Sequence, residues 1–98
     1  MTNARTTIMQ VEPLSGHWLR LSFGDGAVHE VDLAALLAAG GAFAPVRDDR
    51  ATFEAVRVEP EFGTIAWPGD VDLDPDVLRG DYELASGVRL PRRIVQPA

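Results

Sequence analysis

The sequence predicts an α+β fold: a mostly antiparallel five- or six-stranded sheet with one short helix packed on one face. Three observations carry that expectation. Residues 17–23 set Leu19, Leu21 and Phe23 on one side and Arg20 and Ser22 on the other, which is the period of a half-buried strand. Gly24-Asp25-Gly26 follows at once and supplies hairpin residues. Beyond it, Leu33, Leu36 and Leu37 recur at helical spacing behind Asp32, with Gly40-Gly41 as a left-handed stop. Strand, strand, strand, helix, strand, strand is an order that lays the helix against the sheet.

Taken along the chain, residues 1–5 carry no pattern. Residues 6–14 read as a strand from their β-branched side chains and from the alternation of Met9 and Val11 with Gln10 and Glu12; Pro13 stops it and Ser15-Gly16 turns it. A three-residue loop with Gly26 left-handed sets the next hairpin so that Leu19 faces Val31, Leu21 faces His29 and Arg20 faces Glu30. A two-residue loop would set Arg20 beside Val31, so the first register is the consistent one. The leucine helix, two turns long, cannot stand alone in water and must lie on the sheet.

Residues 43–50 form a connector with one helical turn over 45–48. Residues 53–59 read as a strand carrying Val56 and Val58 inward, and Pro60-Glu61 turns the chain. Residues 62–67 make the fifth strand, whose ladder Pro68 ends. Asp74 caps a single turn over 75–78, with Pro75 at the favourable first position. A small hairpin, 82–84 against 88–90 around Ser86-Gly87, precedes a basic tail of Arg89, Arg92 and Arg93.

The 98 residues fit one domain spanning 1–98. Cysteine is absent, which removes disulfides, thiolate metal sites and a cysteine nucleophile. The longest apolar run, 33–43, is too short to span a bilayer, and the N-terminus lacks an apolar signal region, so the expected location is cytoplasmic with no membrane partner. Fifteen acids stand against nine arginines, and no lysine occurs. A net charge of -6 opposes generic binding to a phosphate backbone unless the basic groups share one face.

Asp70, Asp72, Asp74 and Asp76 suggest a calcium loop, and counting from Asp70 puts Asp81 at the twelfth position. The sixth then falls on Pro75, where the sharp turn needs glycine, and no long helices flank the loop. A solvated acidic turn with a capping aspartate explains the run. His17 and His29 read as structural histidines. Ser15, Ser22 and Ser86 sit in no nucleophile elbow, and Gly24-Asp25-Gly26 leads into a strand, whereas a phosphate cradle needs a helix N-terminus. Trp67 ends a core strand. Trp18 alternates with Leu19 and so points to the opposite face, where it needs a cover: the C-terminal segment, a second copy or a foreign partner. Three of the nine arginines lie within residues 89–93, a block complementary to the aspartate turn.

In order and spacing these pieces resemble the bacterial domain-of-unknown-function family 2442. Those that match are Leu19-Arg20-Leu21-Ser22-Phe23-Gly24-Asp25-Gly26, Val31-Asp32-Leu33, the strand from Phe53, and Ile65-Ala66-Trp67-Pro68 followed by Asp72-Leu73-Asp74-Pro75. The likeness covers about residues 8–79 and leaves 80–98 as a C-terminal addition with no helix-turn-helix pattern. It implies an α+β fold in a small stand-alone protein, or in an N-terminal module ahead of a helix-turn-helix in longer relatives, often encoded beside a second small protein, in pairs suspected of being toxin and antitoxin. The family has no established catalytic residues to carry over.

The functional expectation is a protein-interaction module, antitoxin-like or regulatory, and no enzyme. Trp18, Trp67, Asp70, Asp72, Asp74, Arg92 and Arg93 are the expected partner-binding residues. The partner is another protein or a second copy in a homodimer, and neither cofactor nor metal is implied. The alternatives are a nucleic-acid-binding regulator working through the C-terminal arginines and a metal-binding hydrolase using Asp70–Asp76.

Overall fold

The computed structural model describes residues 6–80 and 89–95. Its strands, in chain order, are β1 (Ile8–Pro13), β2 (Trp18–Phe23), β3 (Val28–Asp32), β4 (Arg57–Glu59), β5 (Thr64–Trp67), β6 (Val71–Asp72) and β7 (Arg92–Val95). They form two antiparallel sheets among the described residues, ordered β1-β2-β3-β7 and β4-β5-β6. The helices are short: α1 (Ala34–Leu37), α2 (Ala44–Asp48), α3 (Arg50–Glu54) and α4 (Pro75–Arg79), with a 3-10 turn at Gly41–Phe43. The α+β class holds, but a single sheet with one helix does not.

The central hairpin has the register expected of a three-residue loop. Leu19 pairs with Val31, Arg20 with Glu30 and Leu21 with His29, and Gly26 closes the turn at φ 92°. In β1 the ladder passes from Ile8↔Phe23 to Gln10↔Ser22, so Met9 is the extra residue of a bulge. That extra residue turns Ile8 into the core and leaves Met9 outside.

Two corrections explain the second sheet. Residues 53–59 are not one strand, because Phe53 belongs to α3 and only Arg57–Glu59 is extended. An Arg50–Glu54 pair at i,i+4 and the Thr52 hydroxyl donating to Asp49 favour the helix there. At the other end Pro68 stops β5, but Gly69 and Asp70, at φ 90° and 60°, turn the chain back so that Trp67 pairs with Val71. Asp70 is the non-glycine residue with positive φ among those described, a conformation that aspartate tolerates better than most side chains.

One cluster of buried side chains joins both sheets and the helices: Leu19, Leu21, Phe23 and Val31 from the first sheet, Ile65 and Trp67 from the second, and Leu37, Val46, Phe53 and Leu78 from the helices. Trp67 lies at its centre, fully buried, with its indole N–H donating to the Phe53 carbonyl at 3.1 Å. Arg50 stacks on the Phe53 ring and donates to the carbonyls of Leu14 and Gly16, tying α3 to the β1–β2 turn. As expected, Asp74 caps α4 and accepts from the Asp76 N–H; Asp32, expected to cap α1, lies one residue ahead of the N-cap Leu33 and accepts from the Ala34 N–H. Gly80 ends α4 at φ 96°, and a Cβ there would lie 2.8 Å from the Arg92 guanidinium carbon. The expected hairpin over residues 82–90 falls largely outside the described residues.

Candidate functional site

Pleating puts alternate residues of the four-stranded sheet on opposite faces. The inner face carries Leu19, Leu21, His29 and Val31 against the core. On the outer face, cross-strand partners Glu12↔Arg20, Arg20↔Glu30 and Glu30↔Arg93 fall in a row. The charges alternate across it. Arg20 bonds Glu30 at 2.8 Å and approaches Glu12 at 3.4 Å, while Arg93 bonds Glu30 at 3.0 Å. Glu30, held between two guanidiniums, is only 14% exposed, whereas the Glu12 side chain at the end of the row is 62% exposed. The hydrogen bonds that Arg20 donates to the Glu30 carboxylate hold the Arg20 pKa above its ordinary value.

Beside this row the Arg93 guanidinium lies over the Trp18 ring, 4.0 Å from its centroid. The outward tryptophan is therefore covered from within the chain, by β7. This is a partial cover: Trp18 keeps an accessible surface, and with Arg20, Arg93 and Glu12 it makes a polar sheet face that carries one aromatic anchor.

The other expected site residues are dispersed. Trp67 is fully buried and presents nothing to a partner. Asp70 is in the β5–β6 turn, Asp72 in β6 and Asp74 at the α4 cap, and among the described residues no group of three or more histidines or carboxylates is placed to hold a metal ion. Asp70 and Asp72 do line a shallow depression of about 180 Å³ with Glu59, Glu61, Arg57 and the exposed Phe62.

Arg92 does not join the aspartate turn. Its Nη1 donates to the Leu78 and Arg79 carbonyls at 3.0 and 2.8 Å, at the C-terminus of α4, and to His29 Nδ1 at 2.9 Å. A guanidinium only donates, so that imidazole nitrogen is the acceptor. Arg93 is likewise engaged by Glu30 and Trp18. Arg92 and Arg93 of the basic tail are thus built into the sheet, while Arg89 lies ahead of β7 and donates to the Gly80 carbonyl at 2.8 Å. His17 and His29 occupy separate places: His17 Nε2 donates to the Arg47 carbonyl and packs edge-on to Phe53, while His29 packs edge-on to Phe23.

Arg79 was missed by sequence reasoning. Its guanidinium lies over the Phe23 ring and pairs with Asp25 at 3.2 Å, fastening α4 to the central hairpin loop. That contact, with the Ala27 N–H as a second donor, holds the Asp25 carboxyl below its ordinary pKa. A depressed carboxylate stabilises the fold above its unfolded pKa of about 3.9 and loses that contribution as pH falls through the folded value. In urea titrations the chain is expected to exceed Asp25→Asn in midpoint at neutral pH, and the gap should close at acid pH below the folded value. An unchanged gap on acidification would show that the pair contributes nothing.

No helix among the described residues is long and apolar enough to cross a membrane. No curated protein and no solved structure matches the chain. A family model does match, over residues 8–82, a span that takes in β1 to β6 and all four helices but not β7. By that match the chain belongs to the DUF2442 family, proteins of unknown function.

Proposed function

We propose that this protein is an interaction module whose docking surface is the outer face of the four-stranded sheet around Trp18, Arg20 and Arg93. The observation that carries the reading is the charge row with its stacked tryptophan. No helix of the described chain covers it, and it pairs an aromatic anchor with arginines in the manner of interface hot spots. The resemblance to family 2442 adds the kind of partner, a second small protein encoded alongside, for which this chain would act as an antitoxin-like or regulatory half. Nothing in the dispersed carboxylates and imidazoles favours catalysis, and the engagement of Arg92 and Arg93 within the fold favours protein over nucleic acid.

The test is co-purification with the product of the neighbouring gene, followed by titration. Association at micromolar concentration is expected, weakened about tenfold or more by Trp18→Ala and by Arg93→Glu. Both substitutions lie outside the core, and circular dichroism would verify that the fold is kept. Absence of association, or equal affinity in both variants, would refute the reading.

A further inference from the structure

The edge strand β1 faces the edge strand β4 of the second sheet across an open groove. Gln10, Val11 and Glu12 of β1, Arg20 and Ser22 of β2, and Val56, Arg57 and Val58 around β4 line a cavity of about 440 Å³ there. At one end the two sheets close on each other, where the Ile8 N–H donates to the Gly63 carbonyl at 2.8 Å.

The direction of the free backbone groups follows from the ladder. Leu14 donates to the Trp18 carbonyl at 2.9 Å, so Leu14 and Trp18 are a hydrogen-bonded pair. Pairs alternate along antiparallel strands. Glu12↔Arg20 is therefore bonded and Val11↔Leu21 is not, which turns the N–H and C=O of Val11 away from β2 and into the groove. A donor and an acceptor stand ready there for another strand, over a floor of the partly buried Val11, Val56 and Val58.

The charge row says what that strand should carry. Counted from β7 to β1 it runs Arg93, Glu30, Arg20, Glu12. It stops on an acid that, among the described residues, pairs with Arg20 alone and at 3.4 Å, while Glu30 has two arginines. A strand added at β1 places a residue beside Glu12, and alternation makes that residue basic. The next side chain points inward to the three valines and is aliphatic.

Resting on the interaction-module reading, we propose that the β1–β4 groove accepts an extended segment of the protein partner. The segment adds as a fifth strand to β1, with a basic side chain against Glu12 and an aliphatic one on Val11, Val56 and Val58.

Two short blocked, fluorescein-labelled peptides test it, one alternating valine with lysine and the other valine with glutamate, titrated by anisotropy. The lysine peptide should bind the natural chain about tenfold or more tightly than the glutamate peptide, and Glu12→Lys should reverse the preference. Amide exchange at Val11 should slow in the complex. Failure of both peptides to bind at about millimolar concentration, a preference that Glu12→Lys leaves intact, or an unprotected Val11 would each overturn the proposal. The neighbouring gene product separates the two readings. Capture that Trp18→Ala weakens and Glu12→Lys leaves unchanged would uphold the docking face and reject the groove, and no capture at all would reject the docking face itself.

Discussion

Replacing Trp67 by alanine is expected to lower unfolding free energy by about 3–5 kcal/mol, the range for removing a fully buried large aromatic. The loss is large against the 5–15 kcal/mol typical of a whole domain. Trp67 sits where β5, α3 and the β5–β6 turn meet, 6.5 Å from the Phe53 ring by centroids, so its removal empties the contact between the two sheets and the helices. Trp67→Phe separates packing from hydrogen bonding. It keeps much of the volume but removes the indole donor from the Phe53 carbonyl, which still accepts from the Val56 N–H at 3.3 Å, so the lost hydrogen bond costs about 0.5–1.5 kcal/mol. Urea denaturation of the three proteins should rank them natural, Trp67→Phe, Trp67→Ala. A midpoint for Trp67→Ala close to the natural one would refute this account of the core.

Second in size is the arginine that joins β7 to the end of α4. Arg92→Met is expected to cost about 2–3 kcal/mol, since hydrogen bonds to a charged group are the stronger kind and three acceptors lose their donor together. Arg92→Lys should recover only part, because the shorter ammonium side chain does not reach the position from which Nη1 meets all three acceptors. Gly80→Ala attacks the same junction from the other side. It puts a Cβ on a left-handed residue and against the Arg92 guanidinium, so it should destabilise comparably. Thermal unfolding of Arg92→Met, Gly80→Ala and the double variant gives the check. Shared contacts make the two costs less than additive, and full additivity would show that the two residues act independently.

Much of the fold could be read directly because local chemistry and tertiary context agree. The Leu19–Val31 register follows from one glycine in one turn, and the cap at Asp74 follows from a side chain that bonds its own backbone. The structure departs from the expectation where alternation is the local signal. Phe53, Val56 and Val58 have a strand's spacing, yet the Arg50–Glu54 pair makes the first part of that stretch helical. Pro68 truly blocks a ladder, but the two positive-φ residues behind it make a hairpin and with it a second sheet.

The candidate face was half legible. Arg20 opposite Glu30 is a sequence statement, and so is an outward Trp18. That Arg93 would complete both could not be read, because β7 reaches β3 across most of the chain and no local signal records such a pairing. Trp67 and Arg92 looked like contact residues from their type alone, and their burial against Phe53 and α4 is a property of the assembled core.

The distance that β7 travels also bears on how the molecule assembles. His29 and Arg92 lie 63 positions apart, whereas the three strands of the meander β1-β2-β3 are joined by tight turns. Closing so long a loop is paid in chain entropy before any contact rewards it. The meander can therefore form early by local steps, and the C-terminal strand is the late arrival that zips onto β3 once α4 has presented its carbonyls to Arg92. Until then Trp18 has no guanidinium over it and the β3 edge is bare, so a chain still emerging from synthesis passes through a state more adhesive than the finished protein.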